Sequence, residues 1–206
     1  MGMEEQKLMP FREALEAQRE RELYDRRKWI YVPDFYAEYR YILGTVGKRP
    51  LIVIGINPST AEPGKLDNTL KSVDRIVTGN GFDSFVMFNV YAQRATDPGQ
   101  MDREINLALH RENMEAFRWI LENSGERPAI WAAWGTIIEK RSYLMECLLE
   151  MISISDSYQA VWYQVGKRSR KGHPHHPLYL KKDSKIEVFD VRSYLDQQRT
   201  SPAFKR

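Results

Sequence analysis

The turn Gly55-Ile56-Asn57-Pro58-Ser59 is the first segment whose residue types suggest chemistry. A glycine at Gly55 allows a tight exit from a strand, and Pro58 forces Asn57 into an extended conformation with its side chain directed out of the turn. An amide in that position can hold a water molecule or a substrate hydroxyl. Asn-Pro sequences also commonly do no more than cap a turn, so both roles are open for Asn57.

Asn89 is a second candidate, because it follows the apolar run Phe85-Val86-Met87-Phe88. A carboxamide offers two donors and an acceptor, which is enough to read a paired donor and acceptor on the edge of a nucleobase. The alternative is that Asn89 ties neighbouring loops together. Arg94, slightly further along, is either a phosphate contact or a surface arginine beside an Asp-Pro turn.

The segment Gly172-His173-Pro174-His175-His176-Pro177-Leu178-Tyr179 is the third. Three histidines in four residues suggest a metal site, but the two prolines stiffen the run and neighbouring histidines do not easily point the same way. We therefore expect no metal. The basic run Lys167-Arg168-Ser169-Arg170-Lys171 directly precedes this segment and is either a solvated loop or a phosphate-binding element.

Four short apolar, β-branched runs end at these candidates, and such runs are typical of strands buried on both faces. They cover 51–54, 85–88, 129–133 and 160–165, and helical spacing fills 69–77, 103–122 and 136–151 between them. Strands alternating with helices predict a three-layer αβα sandwich around a central, mostly parallel four-stranded sheet. Ligands of open α/β sheets bind beyond the carboxyl ends of the strands, where the candidates should converge.

Composition limits the class of protein. The chain has 206 residues, 42% hydrophobic and 29% charged, which suits one globular domain. We expect an N-terminal helix or arm over 1–28, the domain over 29–196 and a flexible tail over 197–206. The single cysteine, Cys147, excludes an internal disulfide and a cysteine-ligated metal or iron-sulfur site. No membrane span or signal segment is evident, which predicts a cytoplasmic protein without membrane partners.

Four landmarks in order resemble the uracil-DNA glycosylase superfamily. They are Gly55-Ile56-Asn57-Pro58, Val86-Met87-Phe88-Asn89, Trp131-Ala132-Ala133-Trp134-Gly135 and the His-Pro-Leu segment. The first motif has the version with Asn in place of Asp that is found in the mismatch-specific uracil/thymine branch. In closer detail, Asn57-Pro58-Ser59-Thr60-Ala61, Asp67-Asn68-Thr69 and His176-Pro177-Leu178-Tyr179-Leu180 resemble the family called domain of unknown function 1643.

The resemblance implies a role for each motif. Asn57 would orient the attacking water, Asn89 would read the base, and His176 would stabilise negative charge on the leaving base, with His173 as the alternative register. Because Asn57 cannot take a proton as Asp could, hydrolysis would either be slow or need a general base elsewhere; Asp67 is our own candidate for that base, and helix N-capping is its alternative role. Leu178 would fill the gap left by a flipped nucleotide. The further base contacts would be Ile56 and Pro58, and the DNA contacts Ser59, Arg94, Lys167, Arg168, Arg170 and Lys171.

The predicted function is therefore hydrolysis of the N-glycosidic bond of a damaged, mismatched or modified base, without a cofactor. The partner would be a nucleic acid, DNA above all, or a nucleobase or nucleotide. Two other functions remain open: a module that binds nucleotides or nucleic acid without cleaving them, and a hydrolase of free nucleosides or nucleotides.

Overall fold

The computed structural model describes residues 8–17 and 24–199 of the chain. These residues form a single mixed sheet with helices on both faces. The strands are β1 (Trp29–Val32), β2 (Ile42–Thr45), β3 (Pro50–Gly55), β4 (Ser84–Asn89), β5 (Ala129–Ala132), β6 (Val161–Val165) and β7 (Ile186–Val188). The helices are α1 (Phe11–Glu16), α2 (Asn68–Gly79), α3 (Leu107–Glu122), α4 (Tyr143–Ser157) and α5 (Val191–Arg199).

The α/β class is confirmed, but the predicted four-stranded sheet is too small. The described sheet has seven strands in the order β1-β2-β4-β3-β5-β6-β7. Its centre consists of the four predicted strands, all parallel to one another, and β1, β2 and β7 add antiparallel pairs at the two sides.

The strands outside the four-stranded core that the sequence predicts are short. Within β2, Gly44 lies so close to β4 that a Cβ atom there would be 2.4 Å from the carbonyl oxygen of Phe85. A glycine is therefore needed in that strand for close backbone approach, although its type normally argues against a strand. β7 has only three residues, and none of them is buried; it begins a region, 186–195, in which the sequence predicts a last short strand or helix and the structure has β7 followed by α5.

Side-chain alternation divides the core into two clusters, one on each face of the sheet. Residues of α2 pack on one face against alternate residues of the central strands, among them Val53, Phe85 and Trp131. Residues of α1, α3, α4 and α5 pack on the other face, together with Ile54, Phe88 and Ala132. Both faces are covered, which explains why the central strands are continuous apolar runs rather than alternating ones.

The order of the central strands creates a topological switch point. From β3 the chain continues to β4 on one side, and then to β5 on the other side of β3. Loops that leave β3 and β5 therefore diverge above the sheet, and a crevice opens between them at the carboxyl ends of these strands. The turn at Asn57 and the turn at Gly135 border this crevice.

Some boundaries differ from those that the sequence predicts. The segment predicted as a helix over 136–151 is a short 3₁₀ turn, Gly135–Glu139, followed by α4. Within the predicted N-terminal arm, Phe11 is fully buried and packs edge-on against Tyr41 and Trp119. Helix α5 continues to Arg199, inside the predicted tail; residues 1–7, 18–23 and 200–206 of the predicted arm and tail lie outside the described residues.

None of the described helices combines the length and the apolar character that crossing a bilayer requires.

Candidate functional site

Backbone hydrogen bonds continue beyond the ends of β3 and β4 and hold the two exit loops together. The amide of Tyr91 donates to the carbonyl of Ile56, and the amide of Ala95 donates to the carbonyl of Pro58, each at 2.9 Å. The backbone at Asn57 is therefore fixed against the segment that follows Asn89.

Asn57 uses its amide nitrogen to close this arrangement. Nδ2 donates to the carbonyl oxygen of Ala95 at 2.7 Å and to that of Pro58 at 3.1 Å. The half-buried side chain keeps Oδ1 without a hydrogen-bond partner among the described residues. Asn57 thus combines the two roles that its sequence context allows: its nitrogen stabilises the turn, and its oxygen can accept a hydrogen bond from a ligand or water.

Asn89 is the most unusual polar residue of the site. Its side chain is 1% exposed, and both Nδ2 and Oδ1 are buried without a hydrogen-bond partner. Its own carbonyl is held by Nδ2 of Asn113 at 3.0 Å. More than nine in ten buried polar groups in proteins are hydrogen-bonded, so two unpaired atoms on one side chain call for a ligand or a water molecule.

Gly55 makes room for that side chain. Gly55 pairs with Asn89 across β3 and β4, and a Cβ atom at Gly55 would lie 2.5 Å from Cε of Met87 and 3.0 Å from Oδ1 of Asn89, so the glycine leaves space for both side chains. Because Asn89 follows Phe85 and Met87 at intervals of two, its side chain lies on the same face of the sheet as α2. The amide of Asn89 therefore lies beside the turn that carries Asn57.

The other two predicted base contacts do not present their side chains in the same way. Ile56 is 4% exposed and belongs to the core on the opposite face of the sheet, together with α3 and α4. Pro58 is buried, and its carbonyl already accepts two hydrogen bonds.

His176 lies above the end of β5. A Cβ atom at Gly135 would be 3.2 Å from Cβ of His176, and Gly135 has a φ of +59°. The amide of Leu178 donates to Nδ1 of His176 at 3.3 Å, so the neutral imidazole carries its proton on Nε2. Burial, and then the neighbouring His175, lower the pKa of His176, against the opposing charge of Asp67. A neutral donor at Nε2 is the result.

His173, the alternative register, is engaged elsewhere. It is fully buried, with Nδ1 2.9 Å from the hydroxyl of Tyr194 and Nε2 3.0 Å from a carboxylate oxygen of Glu139. Nε1 of Trp134 donates to the same Tyr194 hydroxyl at 3.1 Å. This chain of hydrogen bonds ties the histidine segment to α5 and to the end of β5, which is a structural role.

The third histidine, His175, donates from Nδ1 to the carbonyl of His176 at 2.6 Å. The three histidines therefore have separate partners. Within the described part of the chain, no group of three or more His, Cys, Asp or Glu side chains is placed to hold a metal ion.

Helix α2 positions both Asp67 and the histidine segment. Oδ1 of Asp67 accepts a hydrogen bond from the amide of Leu70 at 2.8 Å and so caps the helix. Further along α2, Ser72 donates to the carbonyl of Pro177 at 2.8 Å and Arg75 to that of Leu180 at 3.0 Å. Capping thus occupies one oxygen of Asp67, and the carboxylate is near enough to His176 to influence its pKa.

Arg94 is tied to its neighbours rather than extended into solvent. It donates from Nη1 to the carbonyl of Ser59 and from Nη2 to the hydroxyl of Tyr31, the latter at 2.8 Å. Its guanidinium also stacks over the ring of Tyr36 at 4.3 Å. Ser59, a predicted DNA contact, is half-buried and serves here through its backbone.

Arg40 is a second cation in the same region, and the sequence analysis did not single it out. It is 2% exposed and donates from Nη1 to the carbonyl of Ala61 at 2.9 Å, whereas Nε is buried without a partner. Burial and the charge of Arg94 lower the pKa of Arg40 to about 9, so it stays protonated at neutral pH. Among the described residues, neither Arg40 nor Arg94 forms an ion pair within 4.0 Å.

Two of the four cations in the predicted basic run already have partners within the protein. Arg168 donates to Gln164 at 2.7 Å and lies 4.7 Å from the ring centre of Phe189, and Lys171 pairs with Glu139. Lys167 and Arg170 are exposed.

The predicted wedge, Leu178, is half-buried. Its neighbour Tyr179 is 90% exposed and has a φ of +70°. An exposed side chain at the tip of this segment is therefore an aromatic ring and not the leucine.

Two residues that support the site escaped the sequence analysis for a common reason. Arg40 stands between two buried tyrosines, Tyr39 and Tyr41, and Asn113 lies on the buried face of α3. A single polar residue in an apolar pattern is a signal, but it does not show whether a backbone carbonyl or a ligand satisfies it.

Comparison with known proteins identifies one family. The family described as protein of unknown function (DUF1643) matches residues 40–178, which is more than half of the chain. The matched range begins at Arg40 and ends at Leu178, so it contains the candidate site. Searches of curated proteins and of solved structures found no significant match.

Proposed function

The chain belongs to the DUF1643 family, and we propose that it binds a nucleobase at the switch point and hydrolyses the N-glycosidic bond of a damaged, mismatched or modified base in DNA. The observation that carries the proposal is the pair of unpaired polar atoms on Asn89. A buried amide with a free donor and a free acceptor matches the neighbouring carbonyl and N–H groups of a nucleobase edge.

Binding such an edge would give Nδ2 and Oδ1 of Asn89 the hydrogen-bond partners that they lack in the unliganded protein. An unsatisfied buried polar group costs about 1–3 kcal/mol, and a base with complementary groups removes that cost for both atoms at once. A base lacking either group would leave one atom of Asn89 unpaired, which gives the site a physical basis for choosing among bases.

The catalytic roles follow from the groups that remain free. Oδ1 of Asn57 accepts a hydrogen bond from a water molecule and orients its oxygen towards C1′ of the sugar. As the water oxygen bonds to C1′, the C–N bond breaks and its electron pair passes to the base. Nε2–H of His176 donates a hydrogen bond to the base and stabilises the negative charge that develops there. Asp67 accepts the proton that the water loses.

Reaching the base requires it to leave the DNA stack, because an enzyme cannot act on a base inside the duplex. Leu178 and the exposed Tyr179 stand at the tip of the segment that carries His176, and we assign them to the gap that a flipped base leaves. Lys167 and Arg170 supply exposed positive charge on the same side, and phosphate contacts of this kind offset the cost of flipping.

The proposal rests on the resemblance of four sequence motifs to those of uracil-DNA glycosylases, and these motifs have a regular placement on the central strands. Each of the four landmark motifs follows or ends one of the parallel strands β3, β4, β5 and β6 in chain order. We propose that these strands form a glycosylase-like core, to which β1, β2 and β7 have been added.

The test is cleavage of oligonucleotides that each carry one modified, mismatched or deaminated base, followed by alkali to break the strand at abasic sites. The account predicts breaks with at least one substrate, and their loss in the variants Asn57→Ala and His176→Ala. Gly125→Ala, in the loop before β5, is the control, because it is a substitution outside the proposed catalytic residues. Absence of breaks that depend on Asn57 and His176 would contradict hydrolysis.

A second function, binding without cleavage, is favoured by one observation. Asn57 cannot accept a proton, and its nitrogen is held by Ala95 and Pro58. If the protein binds bases or nucleotides through Asn89 but yields no abasic product, it acts as a binding module, and the role of Asp67 as a base is then wrong.

A further inference from the structure

The two arginines beside the candidate base site form a feature that neither base reading nor cleavage uses. The guanidinium of Arg40 donates to the carbonyl of Ala61 and that of Arg94 to the carbonyl of Ser59, two residues earlier, so the two cations are close together on the α2 face near Tyr31. Like charges this close repel each other, so the pair is unfavourable unless an anion lies between or beside them.

The charge of Arg40 is incompletely compensated by the protein. Of its three guanidinium nitrogens, only Nη1 has a hydrogen-bond partner among the described residues, the carbonyl of Ala61, and a carbonyl bears no net charge. Buried charges are normally paired with an opposite charge. Asp67 and Glu62 are the nearby acids, but Asp67 caps α2, and Glu62 contacts the hydroxyl of Tyr31 at 3.5 Å. Neither carboxylate is within ion-pair distance of Arg40 or Arg94.

We propose that Arg40 and Arg94 form an anion site that binds a phosphate monoester, as on a nucleoside 5′-monophosphate or a 5′-phosphorylated strand end. The proposal extends the proposed function, since the base of the same ligand would occupy the site at Asn89. The anion site itself depends only on the two arginines.

A monoester fits this position better than an internal phosphate of DNA. A guanidinium prefers to bind two oxygens of a phosphate side by side, and Arg40 is 2% exposed, so the anion must enter deeply. An internal phosphodiester has two free oxygens and two bulky substituents. A monoester has three free oxygens, a charge of about −1.5 to −2 at neutral pH and a single substituent, so it can reach a buried arginine.

The local backbone would keep such a site in shape. Arg40 donates its amide to Ala92, and Arg94 donates its amide to Glu38, at 2.9 and 2.8 Å, so the two arginines lie on paired segments. Tyr31 and Tyr36 fix the guanidinium of Arg94. The two cations are therefore held before any ligand arrives, which reduces the entropy that binding must offset.

The first experiment uses the unmodified chain. Thermal unfolding is measured in sodium phosphate and in sodium chloride of equal ionic strength, and then with deoxyuridine 5′-monophosphate and with deoxyuridine. We expect phosphate and the monophosphate to raise the melting temperature, and the monophosphate to raise it more than the nucleoside does. If neither phosphate compound raises it above the chloride reference, the proposal is overturned, whatever the variants do.

The second experiment assigns the effect to Arg40. Affinity for deoxyuridine 5′-monophosphate is measured by calorimetry for Arg40→Gln, Arg40→Lys and the control Arg49→Gln, which removes an exposed arginine before β3. We expect Arg40→Gln to weaken binding at least tenfold, Arg40→Lys to weaken it less, and Arg49→Gln to leave it unchanged. Equal affinity in a folded Arg40→Gln variant and the unmodified chain would contradict the proposal.

Two further comparisons separate this site from the proposed function. Asn89→Leu should lose the contribution of the base yet keep its affinity for inorganic phosphate, because the anion site does not include Asn89. A short 5′-phosphorylated oligonucleotide should bind at least tenfold more tightly than the same strand without the phosphate if the ligand is a strand end. A preference confined to the free monophosphate assigns the site to nucleotides instead. Loss of phosphate binding in folded Asn89→Leu would contradict a separate anion site.

Discussion

Asn89 is a single residue whose burial costs the free protein stability, because neither polar atom of its side chain has a hydrogen-bond partner. Its side chain is buried at the end of a central strand, where an apolar residue would satisfy the core better, and Gly55 leaves the space that it occupies. Natural proteins accept such local costs mainly at functional sites. The unpaired amide is therefore the residue whose replacement distinguishes function from folding most clearly.

Replacing Asn89 by Leu should keep or increase stability while abolishing base binding. The substitution removes two unpaired polar atoms and retains a side chain of similar shape, so we expect the free energy of unfolding to stay the same or rise by about 1 kcal/mol. Urea unfolding measures this change. Asn113→Leu is the matched control: it removes the hydrogen bonds to the carbonyls of Asn89 and Val90 and should lower the free energy by about 2 kcal/mol. A loss of more than about 1 kcal/mol for Asn89→Leu would show that its amide is satisfied in the free protein.

His176 gives the site a dependence on pH whose direction follows from its surroundings. Burial lowers the pKa of His176 below its ordinary value of 6.5, so the unfolded chain binds a proton at this residue more readily than the folded chain does. The contribution of His176 to the free energy of unfolding is therefore fully present above pH 6.5. It is lost as the pH falls from 6.5 towards the pKa that His176 has in the folded protein.

We predict that acidification from pH 7.5 to about pH 5 destabilises the unmodified chain more than the variant His176→Asn. Melting temperatures across this range measure the difference, and the NMR titration of the His176 ring should have its midpoint below 6.5. A midpoint above 6.5 would mean that a carboxylate, Asp67 above all, dominates over burial, and His176 would then act as a cation and not as a neutral donor.

At the scale of elements, the loops that leave the strands determine the site. The segment after β6 brings His176 over Gly135 in the turn after β5, and the cap of α2 brings Asp67 to the same end of the sheet. Glycine is needed at Gly135 for two reasons, a positive φ and the closeness of His176, and these two reasons can be separated experimentally.

Gly135→Ala should cost more than backbone strain alone. A non-glycine residue in the left-handed region costs about 1 kcal/mol or more, and the new Cβ would also press on Cβ of His176 at 3.2 Å. Gly125→Ala is the matched control, since Gly125 has a φ of +89° and no atom within 4 Å of its Cβ position. We expect chemical unfolding to show a greater loss for Gly135→Ala and only this variant to lose base binding. Equal losses of stability and intact binding in both would contradict the placement of His176.

The sequence predicts a helix or strand well where a regular pattern of buried apolar residues marks it, and poorly where there is no such pattern. The four central strands and the helix α2 have apolar patterns that depend on burial alone, and each lies within a few residues of its expected place. β2 and the 3₁₀ turn at Gly135 depend on close backbone approach and on a positive φ, which are properties of the neighbouring chain rather than of local sequence.

On the scale of the whole molecule, the topology explains why scattered motifs meet. The switch between β3 and β5 opens the crevice, and three exit loops and the start of α2 surround it, so residues from 57 to 176 contribute to one region. Sequence order and strand ends suffice to predict this convergence. Roles within the site were harder to predict, because they depend on which polar atoms the protein itself satisfies: the nitrogen of Asn57 and all of His173 are engaged, whereas the amide of Asn89 is not.

The additional strands do not alter this arrangement. β1 and β2 extend the sheet beyond β4, and the segment between them carries Arg40, so the enlarged edge contributes a cation that contacts the loop after β3 at Ala61. The predicted four-stranded sheet is thus the frame of the candidate site, and the segment between β1 and β2 adds the positive charge of Arg40.

The most direct measurement is an NMR titration of the Asn89 side-chain amide with free nucleobases. The two N–H signals are assigned by their loss in Asn89→Leu, and bases with a neighbouring carbonyl and N–H, such as uracil, are compared with purine, which lacks that carbonyl. The account predicts saturable shifts of the Asn89 signals with the former and none with the latter. Unchanged signals with every base, in a folded protein, would contradict a nucleobase site at Asn89.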